Sequence, residues 1–185
     1  MRTRSKLTAM ALTSGLAVAG FAGVAGPAQA ANSGSTITTF AITGGALNIT
    51  VPASTVALNT GTVNAGAATA AGQLGSVTVA DTRGALVNSW TTTVSSTTFV
   101  TGGASADETV AVANIAYSSG AATAHTGLGA FVPGILVNGT VPGTGGSHTG
   151  LAGNTSTTWN PTLTFTLLSS QVAGTYTGTI THSVA

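Results

Sequence analysis

Thr162-Leu163-Thr164-Phe165-Thr166-Leu167 puts every apolar side chain on one parity and every threonine on the other. Successive side chains of an extended chain point to opposite faces, so the stretch reads as a half-buried strand with Leu163, Phe165 and Leu167 inside. The pattern returns from Thr175 to Val184, where Tyr176, Ile180 and Val184 oppose Thr175, Thr177, Thr179 and Thr181. Weaker strands are expected at Ile37 to Thr43, Ala46 to Val51, Gly75 to Ala80, Ser89 to Ser95, Val110 to Tyr117 and Ile135 to Asn138. Apolar parity switches inside Val110 to Tyr117, and a β-bulge near Ala113-Asn114 accounts for the switch.

Loops rich in Gly, Ala, Ser and Thr are expected between these strands, at Asn64 to Gly72, Thr101 to Ala106, Ser118 to Gly129 and Pro142 to Asn154. Nothing after the first thirty residues sustains a 3.6-residue apolar period, so helix content is expected to be small. About eight to ten short strands with Gly, Pro and Asn punctuation predict an all-β, single-domain β-sandwich or Greek-key barrel. A solenoid would need a fixed repeat, and the sequence has none.

The N-terminus reads differently. Arg2, Arg4 and Lys6 are three of the four basic residues in the chain, and an uncharged run follows from Leu7 to Val24. Pro27 then precedes Ala28-Gln29-Ala30, a small-x-small site for a signal peptidase. Residues 1–30 are therefore expected to be a cleaved secretory signal peptide, residues 31–35 a flexible lead-in, and residues 31–185 the working domain. The sequence runs to Ala185 without a sortase-type motif, a hydrophobic tail or a lipid-accepting cysteine after the signal, so no covalent anchor and no membrane span after cleavage are expected.

Cleavage changes the electrostatics, taking the formal charge from +1 to −2 and leaving Arg83 as the only Lys or Arg. So little positive charge cannot neutralise phosphates, which argues against nucleic-acid partners and against binding to anionic lipid. With no cysteine, stability must come from packing and strand pairing; residues 31–185 are long enough to bury roughly 70% of their unfolded surface. The absence of lysine after the signal is notable for sheet edges, which lysine often protects. Edges must then be covered, closed or used, and pairing of at least one with another chain by strand addition is the expectation.

Catalytic chemistry is not expected. Asp81, Asp107 and Glu108 are the only acids, and a glycosidase needs two facing each other across a cleft. The same three supply too few oxygens for calcium. His125, His148 and His182 lack zinc-ligand spacing; the first two are expected to be solvated in loops, and His182 to be a neutral core residue beside Ile180 and Val184. Pro142 to Gly150 resembles a phosphate loop only in glycine content and is expected to be a mobile surface loop. No catalytic residue, metal site or cofactor is expected. The threonine faces match hydroxyl or water lattices in principle, but threonine is also the ordinary polar half of a strand.

Four residues stand out as candidate ligand contacts. Trp90 shares a strand face with Val94, and Trp159 precedes Asn160-Pro161 at the mouth of a strand. Both indoles are expected in the core, with stacking on a sugar ring as the alternative. Asp81-Thr82-Arg83-Gly84 reads as a turn in which Asp81 caps backbone donors, Gly84 supplies permissive dihedrals and Arg83 finds a nearby acid.

Three stretches in order resemble the WxL-domain proteins of the Gram-positive cell surface. They are Leu74 to Gly84 leading to Ser89-Trp90-Thr91-Thr92-Thr93-Val94-Ser95, then Thr158-Trp159-Asn160-Pro161-Thr162-Leu163, then Gly174 to Val184. The likeness runs from about Phe40 to the C-terminus, with Trp90-Thr91-Thr92 and His182-Ser183-Val184 where the family has its two Trp-x-Leu signatures. The resemblance implies an exported all-β module, attached non-covalently to peptidoglycan and assembled with other surface proteins. The expectation is a non-enzymatic, cell-wall-associated domain for wall binding, adhesion or surface assembly, whose partners are wall polysaccharide or peptidoglycan, other surface proteins, or itself. A small secreted carbohydrate-active hydrolase and a self-associating coat protein are the alternatives.

Overall fold

The computed structural model describes residues 34–52, 58, 63–136, 143–150 and 152–185. The expected signal peptide, residues 31–33 of the lead-in and the Val137-Asn138 end of one expected strand lie outside them. The chain divides into two units, Met1–Phe40 and Ala41–Ala185. In the first, residues 34–40 are exposed and carry no regular secondary structure.

The second unit is all-β. Its strands are β1 (Leu47–Thr50), β2 (Thr69–Gln73), β3 (Val77–Asp81), β4 (Trp90–Ser96), β5 (Phe99–Val100), β6 (Thr109–Val110) and β7 (Ile115–Ser118). Then follow β8 (Ala122–Thr126), β9 (Ala130–Pro133), β10 (Ile135–Leu136), β11 (Gly143–Thr149), β12 (Thr155–Trp159), β13 (Thr162–Thr166) and β14 (Ile180–Val184). Two 3-10 turns, Ala106–Glu108 and Val112–Asn114, are the only helical pieces among the described residues.

The strands form a β-sandwich. One layer has two halves, ordered β1-β3-β12-β8 and β2-β13-β7-β10, that share long interrupted strands. β12 runs on into β13 across Asn160-Pro161, and β2 runs on into β3 beside it in the opposite direction. Proline has no N–H to donate, so the ladder breaks there, and the gap is stitched from the neighbouring strand. Leu74 N–H donates to Pro161 O (2.9 Å) and Gly75 N–H to Asn160 Oδ1 (3.0 Å). β7 and β8 flank the same junction on the other side.

The second layer, β14-β4-β11-β9, covers both halves. Its β9 passes into β10 of the first layer at Gly134, where an added Cβ would lie 2.3 Å from Thr144 O. Only glycine allows the two backbones to approach that closely. Two cores result from the two halves. Val77, Val79 and Trp159 of the first half meet Trp90; Ile115, Tyr117, Leu163 and Phe165 of the second meet Val94 and Phe99.

The alternation that marks Thr162 to Leu167 holds, with Leu163 and Phe165 buried between partly buried threonines. Fourteen strands are present among the described residues rather than eight to ten, because several long strands are interrupted where the first layer breaks. Other expectations are corrected. Ile37 to Thr43 forms no strand. The parity switch in Val110 to Tyr117 is made by the Val112–Asn114 3-10 turn, not a bulge. Of Thr175 to Val184 only Ile180–Val184 is a regular strand, joined by one bridge between Thr177 and Val100. The stretches expected to be loops at Asn64 to Gly72, Ser118 to Gly129 and Pro142 to Asn154 contain β2, β8 and β11.

Leu163 is 1% exposed at the centre of the second core, so Leu163→Ala is expected to cost about 3 kcal/mol through lost burial and a residual cavity. Thr166→Ala, on an exposed position of the same strand, should change stability by less than about 0.5 kcal/mol. Urea midpoints of the two variants check both.

Candidate functional site

β3, β4, β11 and β12 bring Asp81, Trp90, His148 and Trp159 into one half of the sandwich. Rings from both layers stack through it. Trp90 lies against His148 (centroids 5.5 Å, 16° between planes) on one side and Trp159 (6.2 Å, 19°) on the other. Phe131 of β9 stacks on Trp159 at 5.1 Å, and His125 of β8 approaches His148 at 5.3 Å. Trp90 and Trp159 are 2% and 0% exposed, so the core expectation holds and neither indole face is open to a sugar ring.

Trp159 also anchors a hydrogen-bonded relay. Its Nε1–H donates to Tyr117 Oη at 3.0 Å, and Tyr117 Oη lies 3.2 Å from His182 Nε2. An indole N–H can only donate, so the phenol oxygen accepts from Trp159 and its own proton is left for His182 Nε2. That arrangement requires a neutral imidazole. Burial pushes His182 down to about 4 and the Tyr117 phenol up to about 12, both favouring the uncharged forms.

The Asp81 turn forms as the residue types require. Asp81 closes β3 with its side chain fully buried. Its Oδ1 accepts from the Arg83 backbone N–H (3.0 Å) and Nε (2.9 Å), and its Oδ2 from Nη2 (2.8 Å). Arg83 Nη2 also reaches Ser89 O (3.0 Å), and Gly84 takes φ +63° beyond the pair. The Arg83 hydrogen bonds hold the Asp81 carboxyl below its ordinary value against the opposing cost of burial. The same pairing raises Arg83.

His148 was not legible as part of this site. Instead of lying solvated in a loop, it is 1% exposed on β11, with Nδ1 3.1 Å from Asn88 O. A carbonyl only accepts, so Nδ1 is the donor in this contact. His148 Nε2, Asn88 Oδ1, Trp90 Nε1 and Thr155 Oγ1 are all buried without a hydrogen-bond partner among the described residues. His125 remains exposed on β8, as expected, but its Nδ1 meets Thr157 Oγ1 at 2.9 Å.

Chemically, the cluster is built to hold strands together. The Asp81 carboxylate is fully engaged by Arg83, and Glu108 is engaged by Ser105, whose N–H donates to Glu108 Oε2 at 3.0 Å. Asp107 sits beside Glu108 in the same 3-10 turn. Asp81 therefore belongs to an ion pair whose carboxylate is buried and whose guanidinium reaches the surface, while the other two acids belong to a surface turn. Separately, a cleft of about 680 Å³ opens over the second core, lined by Phe99, Val110, Phe165, Leu167 and Tyr176. The Tyr176 hydroxyl at its rim is committed to the backbone carbonyls of Val172 and Asp107.

Two pH effects follow. Arg83→Ala leaves a buried, uncompensated carboxylate and is expected to cost about 3 kcal/mol at neutral pH. The Asp81 folded-state pKa is lowered, so the pair's contribution is present above about pH 4 and is lost as pH falls through the folded value. The gap between wild type and Arg83→Ala should therefore narrow in acid. For His182 the unfolded chain takes up its proton near pH 6.5 and the folded chain only near pH 4. Stability should decline across that interval, and His182→Gln should flatten the decline; denaturant midpoints against pH measure both. No family model matches the chain, and neither curated proteins nor solved structures give a match.

Proposed function

We propose that this protein is a non-enzymatic, exported β-domain held at the cell surface by non-covalent contacts. Its proposed partners are cell-wall polysaccharide or peptidoglycan, other surface proteins, and further copies of itself. One observation carries the reading: the side of the sandwich bearing β8, β9 and β10 is uncharged and apolar. Residues 119–136 contain no Asp, Glu, Lys or Arg. Among them Leu128, Val132 and Ile135 are 63%, 53% and 69% exposed, and nearby Leu86 and Val87 of the 84–89 turn are exposed as well. An apolar, charge-free surface of this kind supports a contact role.

The disposition of the acids supports a binding role over hydrolysis. The buried Asp81 carboxylate is paired with Arg83, whereas general acid–base cleavage of a glycoside requires two carboxyl groups facing one sugar ring. The N-terminal basic, apolar and small-residue pattern supports export. Attachment through buried Trp90 and Trp159 is not part of the proposal, because those side chains are occupied by the core.

Sedimentation with purified cell walls tests the proposal. Wild-type protein is expected in the pellet, and Val132→Lys and Ile135→Lys are expected to shift it toward the supernatant with unchanged melting. Trp159→Ala should lower the melting temperature first. Wild-type protein left wholly in the supernatant would defeat wall association.

A further inference from the structure

The segment Thr36-Ile37-Thr38-Thr39-Phe40-Ala41-Ile42-Thr43 has strand composition without a strand's pairing. Sequence reading expects a strand here, and β-branched and aromatic residues are those that favour one. Yet among the described residues backbone pairing begins only at Gly45, whose N–H donates to Thr82 O at 2.6 Å. Ile37, Phe40 and Ile42 are 94%, 86% and 85% exposed. Leaving three large apolar side chains in water forgoes the gain of burying them, so the segment is poised to bury them elsewhere.

The same chain offers a matching acceptor. β8 pairs with β12 on one side and ends its half-sheet, so its other edge has no strand partner among the described residues. Its five residues, Ala122-Thr123-Ala124-His125-Thr126, contain no proline and no charge. Natural sheets protect such edges with lysine, proline or a covering element. β9, the corresponding edge of the other layer, ends in Pro133 and so lacks one donor. β14 and β1 lie against each other at the opposite side, where Leu47, Ile49 and Val184 pack together. β8 is thus an edge of the sandwich that carries neither charge nor proline.

We infer that residues 36–43 of one copy add as a strand to this edge of β8 in a second copy. The inference rests on the surface-assembly part of the proposed function and names its partner and contact. Side chains alternate, so Phe40 and Ile42 fall on one face of the donated strand and Ile37, Thr39 and Ala41 on the other. On β8 the His125 ring turns inward to His148, which leaves Ala124 on the outer face. The donated strand therefore sets Phe40 and Ile42 on the inner face, beside His125 and the partly buried Phe131, and Thr39 on the outer face with Ala124. Neither strand is charged, so no repulsion opposes the pairing. Donor and acceptor are different surfaces of one chain, and a contact of that type propagates into open chains or rings rather than closing as a two-fold dimer.

Sedimentation velocity of the exported protein across a concentration series, without cell walls, tests this. Wild type is expected to give a ladder of sizes, a variant lacking residues 34–43 to be monomeric, and Phe40→Asp or Ile42→Asp to weaken association by about tenfold or more. Because the chain has no cysteine, single substitutions report the contact directly. Thr39→Cys protein mixed with Ala124→Cys protein should give a disulfide-linked heterodimer, whereas Val132→Cys on β9 should not. A monomeric wild type, a deletion variant that assembles normally, or cross-linking to Val132→Cys in place of Ala124→Cys overturns the inference. Wall sedimentation separates the two readings: monomeric protein that still pellets overturns strand donation alone, and assembling protein that stays in the supernatant overturns wall association alone.

Discussion

The Trp159 indole is where the sheets of this protein meet. It ends β12, immediately before the Asn160-Pro161 break that divides the first layer into halves, and it is fully buried. Its ring faces contact Trp90 and Phe131 of the opposite layer, and its N–H donates to Tyr117 of the other half-sheet. Tyr117 in turn is shared with His182 of β14. A buried indole stabilises through its area only if its N–H finds a partner, and here that partner lies across the break. The interruption imposed by proline is thereby bridged by a side chain whose contacts reach both halves and the covering layer. Losing Trp159 removes packing and leaves Tyr117 without its donor in the same step.

The ion pair plays a different part. Burying Asp81 is costly, and a planar guanidinium that meets both carboxylate oxygens is the partner best suited to offset it. Arg83 extends the pairing to Ser89 O, which fixes the 82–89 turn against the start of β4. That turn leads directly to Asn88, whose carbonyl orients His148 and whose Nδ2 donates to Gly153 O at 2.9 Å. One charge pair therefore sets the backbone that presents the Trp90 and His148 rings. The cluster also carries four buried polar atoms without partners among the described residues, each with a desolvation cost of about 1–3 kcal/mol. Close ring packing and the Asp81 pair offset that cost, so this half of the sandwich is held by compensation rather than by full polar satisfaction.

How much was legible follows from where each strand's information lies. β13 and β4 carry their own burial pattern, because apolar and hydroxyl residues alternate along them. The Asp81-Thr82-Arg83-Gly84 turn was legible too, since its hydrogen bonds are local. β11 was not: Gly143-Thr144-Gly145-Gly146-Ser147-His148-Thr149 has no apolar parity, and its glycines answer to neighbours. An added Cβ at Gly146 would lie 2.7 Å from the Phe131 ring, a constraint invisible until β9 is placed beside β11. With β11 read as a loop, His148 was read as solvated. β8 and β2 failed for the same reason, as small residues on strands whose burial is set across the sheet. Ile37 to Thr43 shows the converse, a strong local pattern with no strand partner among the described residues.

Part of the sheet surface is made of hydroxyls bonded across strands. Thr78 meets Thr158 at 2.9 Å and Thr93 meets Ser183 at 2.6 Å, pairs formed directly across neighbouring strands. Such faces are wetted without charge. Ordinarily a sheet protein keeps its distance from others through like charge and lysine-guarded edges, both of which weaken as salt rises. With so few ionised groups this protein has almost no field to screen, so its associations must rest on backbone pairing and apolar contact. Interactions of those kinds persist at ionic strengths that dissolve electrostatic ones. The unguarded edge is the physical counterpart of the missing charge.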